Sequence, residues 1–143
     1  MSQSPREAAK KWFEVVWNQG RREAIAEMLS SDVAFHDGST DTVGIQSFQL
    51  FFDRMHATLS QIHVDVDDTL VDGDQVCVRW RAKARHTGDG LGVPPTGKEI
   101  DVTGISVVRV VDGKFVEAWQ NWDMLGMMEQ IQGRNKSPTY ITA

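Results

Sequence analysis

The chain has one cysteine, Cys77, in 143 residues. An intrachain disulfide is therefore impossible, and no zinc site of the multi-cysteine kind can form. A lone thiol fits a reducing compartment, so a cytoplasmic location is expected. Long apolar runs are missing too. No window approaches the ~18 consecutive apolar residues of a spanning helix. The opening stretch MSQSPREAAKKWFEVVWNQG carries charges in every turn, unlike a signal peptide. Positive charge is in deficit: 15 Lys and Arg stand against 20 Asp and Glu, a net charge of −5. That excludes the basic footprint of a nucleic-acid binder and disfavours an anionic membrane surface. The four histidines show no HxH or HxxxH spacing and no carboxylate at ligand spacing, so no metal site is expected. Repeats and low-complexity segments are absent. Against one tyrosine stand five tryptophans, which suits a core or pocket with large flat walls.

The apolar periodicity defines the elements. Ser4-Pro5-Arg6-Glu7 is a helix start, with a capping serine, proline where its missing N–H costs nothing, and glutamate three residues on. Ala9, Trp12, Phe13, Val16 and Trp17 then share one helical face until Gly20. A short second helix is expected near 21–29, a short strand at 33–36, and a loop at 37–42. Ile45, Phe48, Phe52, Met55 and Leu59 predict a third helix over 45–59. The period then changes to two. Ile62, Val64 and Val66 alternate with polar residues, Asp72-Gly73-Asp74 turns the chain, and long strands are expected over 75–87, 99–111 and 114–122. A last helix follows at 124–132, with Asp123 as its cap. Residues 134–143 form a polar tail, expected to be mobile. The expectation is a single α+β domain over 1–133: a strongly bent, cone-shaped antiparallel sheet with the N-terminal helices on its concave face.

Three stretches carry a resemblance. ARHTGDGLGVPPTGKEIDVTG, VVRVVDGKFVEAW and WDMLGMMEQIQG resemble the SnoaL-like polyketide cyclase family, within the nuclear transport factor 2-like superfamily. The resemblance implies a dimeric enzyme of antibiotic-type biosynthesis that needs no cofactor and acts on a small polycyclic aromatic polyketide. Members of the family close a ring by intramolecular aldol condensation, and a related branch hydroxylates similar intermediates. The resemblance also locates the chemistry. In the cyclases the acid/base carboxylate stands five residues beyond the DGK-hydrophobic unit, where this chain has Gln120. The cyclases' histidine, three residues before the strand arginine, is Ser106 here. Glutamine cannot accept a proton at neutral pH. Hydroxylation is therefore favoured over aldol cyclisation, which would need Asp123 or His36 as a replacement base. An epoxide hydrolase is disfavoured because the 75–86 strand has no Arg-x-Asp. A non-catalytic small-molecule-binding module of the same fold is the remaining alternative.

The candidate catalytic residues are thus His36, Gln120 and Asp123. Candidate substrate contacts are Trp80, His86, Ser106 and Trp122 from the strands, and Phe52, Met55 and His56 from the third helix. The resemblance places the strand of His36 at the pocket mouth; for Asp123 the helix-cap reading is favoured over a pocket role. His63 is expected in solvent. Arg79, Arg81, Lys83 and Arg85 form a basic stripe, read as a solvated face or a homodimer contact. Val107, Val111 and Trp119 fall on the strand parity opposite the pocket and are expected to meet a second copy.

Overall fold

The computed structural model describes residues 3–133; the tail expected at 134–143 lies outside them. Helix α1 spans Pro5–Trp12, and Ser4 caps it by accepting the Glu7 N–H at 3.2 Å. The chain then widens into a π-helical stretch, Phe13–Asn18, where one α-helix through Trp17 was expected. The wider turn has a physical purpose. Trp12, Phe13 and Val16 are buried, while Trp17 reaches sideways to Phe52 at 5.5 Å. Asn18 ends the stretch and ties it to a strand, with Nδ2 donating to the Val64 carbonyl and Oδ1 accepting the Val64 N–H.

Helix α2 (Glu23–Met28) leads into β1 (Leu29–Asp37) and β2 (Thr40–Val43). Helix α3 (Ile45–His56) follows, then β3 (Leu59–Asp72), β4 (Gln75–His86), β5 (Glu99–Val111), β6 (Lys114–Trp122) and α4 (Met124–Gln132). The six strands make one sheet in the order β2-β1-β6-β5-β4-β3. No described helix is long and apolar enough to cross a membrane.

Two expectations about the first strands are corrected. The segment 37–42 is not a loop: Asp37 ends β1, and a tight turn with Gly38 at φ 61° sends the chain back as β2. The run from His36 to Thr42 is polar or glycine at every position, which hides the period of two. The sheet is also not wholly antiparallel, because β1 runs parallel to β6. Helix α3 ends at His56 rather than Leu59, and Leu59 opens β3.

The concave face carries Val76, Val78, Trp80, Val102 and Val108, all buried against Ala9, Trp12, Phe13 and Val16. Register carries that face across the sheet: Ser106 pairs with Gln120, Gly104 with Trp122, Phe35 with Ala118 and Asp37 with Gln120. A bulge at Val116 inserts one residue between the Arg109–Glu117 and Val110–Phe115 pairs. It lets Phe115 and Ala118 both point inward. Beyond it the alternation holds, so Gln120 and Trp122 face the concave side and Glu117 and Trp119 the convex side.

Candidate active site

A cavity of about 580 Å³ opens between α3, the end of α1, the β1–β2 hairpin and the strands β5 and β6. That volume is in the ordinary range for a small-molecule site. Trp12, Phe13, Phe48, Val108 and Phe115 give it apolar walls; Ser106, Gln120 and Trp122 bring polar groups to the strand side. Met55 lines it as expected.

Several expected contacts are elsewhere. Phe52 is buried behind the wall, among Trp17 and His56. His56 is exposed, with Nδ1 donating to the Phe52 carbonyl one turn back at 3.0 Å. Trp80 also lies outside the cavity lining. Its indole N–H donates to Ser106 Oγ at 3.0 Å, and its ring covers Gly104, where a Cβ would lie 2.2 Å from the indole. Ser106 is thereby fixed, with its acceptor oxygen engaged and its own O–H left to donate.

His86 is fully buried and clamps the long loop. Its Nδ1 accepts the Thr96 N–H at 3.2 Å, its N–H bonds the Lys98 carbonyl, and its carbonyl accepts from Gly97. Gly88 and Gly90 close the same loop onto the end of α3, where a Cβ at Gly88 would lie 1.9 Å from the Ala57 oxygen. The RHTG and PPTG text is thus loop architecture. Asp123 is a cap: its Oδ1 accepts the Gly126 N–H at 2.8 Å, and it lies outside the cavity.

His36 lines the cavity together with Trp119, but its ring is engaged in structural contacts, stacking on Trp119 at 5.4 Å. Nε2 meets Glu117 Oε2 at 2.7 Å and Nδ1 meets Asp41 Oδ1 at 2.8 Å. Arg109 holds the other oxygen of Glu117. Two carboxylates facing both ring nitrogens favour the imidazolium, and the bonds to Asp41 and then Glu117 raise the His36 pKa. The bond from His36, then that from Arg109, lowers the Glu117 pKa. The cluster clamps the hairpin to β6 and β5.

The clamp has a defined pH window. The contribution of His36 is complete below its ordinary value of 6.5 and is lost as pH rises through its raised folded value. That of Glu117 is complete above 4.5 and is lost as pH falls through its lowered folded value. The melting-temperature gap between wild type and His36→Asn should accordingly be widest between those ordinary values and shrink as pH rises through the raised folded value of His36. A gap that stays constant with pH would show that His36 acts by packing alone.

Asp37 is a cavity carboxylate that the sequence does not single out. It is half-buried on the cavity wall, its strand partner is Gln120, and burial raises its pKa above the ordinary aspartate range. Hydrogen bonding from the Trp122 and Gln120 side chains opposes that shift without overcoming it. A carboxylate whose charged form is disfavoured in an apolar pocket is suited to accept and return a proton. The available signal was the alternation of Val33, Phe35 and Asp37 on one face; reading Asp37 as the first loop residue concealed it.

A curved sheet wrapped around helices, with a carboxylate and three side-chain donors in an apolar cavity, defines a small-molecule site of the acid/base kind. The sequence profile of the SnoaL-like polyketide cyclases matches residues 7–131, and the chain belongs to that family. Solved structures agree. A candidate SnoaL-like polyketide cyclase from Jannaschia sp. CCS1 superposes with a TM-score of 0.82 at 25% identity, covering 92% of this chain and 93% of that one. IdmH, a candidate polyketide cyclase from Streptomyces antibioticus, gives 0.80 at 26% identity over 91% and 99%. AclR, a candidate hydroxylase from Streptomyces galilaeus, shares the fold with a TM-score of 0.81 at 22% identity over 94% and 85%. No curated protein matches by sequence.

Proposed function

We propose that the chain is a polyketide-tailoring enzyme in which Asp37 shuttles the proton of an intramolecular aldol condensation. The observation that supports this is the half-buried cavity carboxylate with its raised pKa. The objection to a cyclase was the glutamine at position 120. Asp37 sits across the β1–β6 pair from that glutamine, so a carboxylate is offered to the same part of the pocket from the neighbouring strand. In the step, a C–H beside a substrate carbonyl gives its proton to Asp37. The enolate carbon attacks a second carbonyl carbon, a C–C bond forms, and the resulting alkoxide takes the proton back. The Ser106 hydroxyl is suited to hold the enolate oxygen, while Gln120 and Trp122 hydrogen-bond Asp37 and orient its carboxylate.

Hydroxylation is the second reading, favoured by Gln120 itself. There Asp37 would take a phenol proton, and the electron-rich phenolate would react with dioxygen. One oxygen atom enters the ring, and a two-electron donor reduces the other to water. The two readings separate by mass and by air. Incubated with a polycyclic anthraquinone bearing a ketone side chain and an activated methylene, a cyclase gives an isomer of unchanged mass with or without air. A hydroxylase gives a product heavier by one oxygen atom, only in air and only with a two-electron donor such as a reduced nicotinamide added to the incubation. Binding without either product would support a non-catalytic module.

The proposal extends to a homodimer through the convex face. Ile105 and Leu70 are exposed there, with Val107 and Trp119 part-covered. The acids Asp65 and Asp68 on β3 lie beside the bases Arg79 and Arg81 on β4, which makes the face complementary to itself. Light scattering at micromolar concentration is expected to give twice the chain mass of 16.0 kDa; a monomer would count against it.

A further inference from the structure

The mouth of the cavity carries a charge that the proposed proton shuttle does not use. Ser47, Leu50, Phe51, Arg54 and Met55 all line the cavity, and their spacing of three, one, three and one places them on a single face of α3. Arg54 is the basic residue of that face. Its sequence neighbour Asp53 is already engaged, because Arg22 holds both carboxylate oxygens at 2.8 and 3.0 Å. No carboxylate among the described residues pairs with the Arg54 side chain.

The backbone at Arg54 is tied to the end of α3 and to the long loop. The Arg54 carbonyl accepts from Thr58 Oγ1 at 2.8 Å, and Gly90 packs so closely that a Cβ there would lie 2.9 Å from the same carbonyl. That contact sets Leu91 on the cavity lining together with Arg54. The rim therefore pairs apolar side chains, Leu50, Leu91 and Met124, with one unpaired guanidinium. The strand wall has the opposite character, because the acidic group lining the cavity there is the Asp37 carboxyl.

We infer that Arg54 reads an anionic group on the ligand, and that the substrate is a polycyclic aromatic acid rather than its neutral ester. Its flat body fills the apolar cavity, and its carboxylate remains at the mouth against the guanidinium. A guanidinium fork matches a carboxylate in two parallel hydrogen bonds, which a neutral ester cannot reproduce. The inference rests on the polycyclic-aromatic reading above and adds the charge of the substrate.

The test uses anthraquinone-2-carboxylate and its methyl ester, titrated against the whole chain by tryptophan fluorescence quenching. Wild type is expected to bind the acid about tenfold more tightly than the ester. Arg54→Gln should reduce that preference to near unity while leaving ester affinity and melting temperature unchanged. Arg54→Lys should keep part of it, since it retains the charge without the fork. Equal affinity of wild type for both probes, or a preference that survives Arg54→Gln, overturns the role of Arg54 and leaves the aromatic pocket standing. If neither probe binds, the aromatic-pocket reading falls and this inference falls with it.

Discussion

Replacing Asp37 by asparagine is expected to lower turnover by about 10²–10⁴-fold, the usual worth of a positioned general acid/base. The fold should survive, and the thermal stability near neutral pH should stay level or rise. Burial raises the folded pKa of Asp37 above its ordinary 3.8. Below that ordinary value the group is protonated in both states and has no effect. As pH rises through the window up to the raised folded value, the unfolded chain ionises more readily, so stability falls and remains lower above it. Asparagine removes that cost and keeps the shape. Activity of the wild type should follow the opposite course, rising with pH along an acidic limb displaced above 3.8. Turnover and melting temperature, measured together across pH, check both. An Asp37→Asn enzyme of undiminished turnover would remove the carboxylate from the chemistry and return attention to Ser106 and Gln120.

The long elements were legible because each has one strong period. Strands β4 and β5 alternate with hardly a break, and their register carries Ser106 and Gln120 to the concave face as parity requires. The stripe Phe48, Phe52 and Met55 marks α3, and all three are buried. What stayed hidden was short or was set by tertiary context. The π-helical widening after Trp12 answers a packing demand that periodicity does not encode. The tip of the β1–β2 hairpin, from His36 to Thr42, is polar, so its strand character depends on pairing, partly with β6, which is remote in sequence. Without that pairing Asp37 reads as a loop residue, and nothing in the sequence shows that the His36 ring is engaged by Asp41 and Glu117. Histidines also mislead by chemistry. His86 and His36 each satisfy structural bonds, one closing a loop and the other a clamp, and the residue type alone cannot distinguish that from catalysis.

Trp80→Ala should have the largest effect on stability, with a loss of about 3–5 kcal/mol. The ring is 8% exposed, lies 6.2 Å from Phe13 and fills the space left by Gly104. Its removal forfeits apolar burial and opens a void that the flat backbone at Gly104 cannot collapse into. It also strips Ser106, only 4% exposed, of its indole donor. For a domain whose total stability is about 5–15 kcal/mol, such a loss should lower the melting temperature by roughly 10–20 °C. Trp80→Phe separates the contributions, since it keeps most of the ring and loses the N–H; its cost should be nearer 1–3 kcal/mol. Turnover per folded molecule should fall far less in Trp80→Ala than in Asp37→Asn, because the indole stands behind the wall that Ser106 presents. The opposite pattern, an unchanged melting temperature with turnover abolished, would mean that the indole itself meets the substrate and that the cavity extends past Ser106 to Gly104.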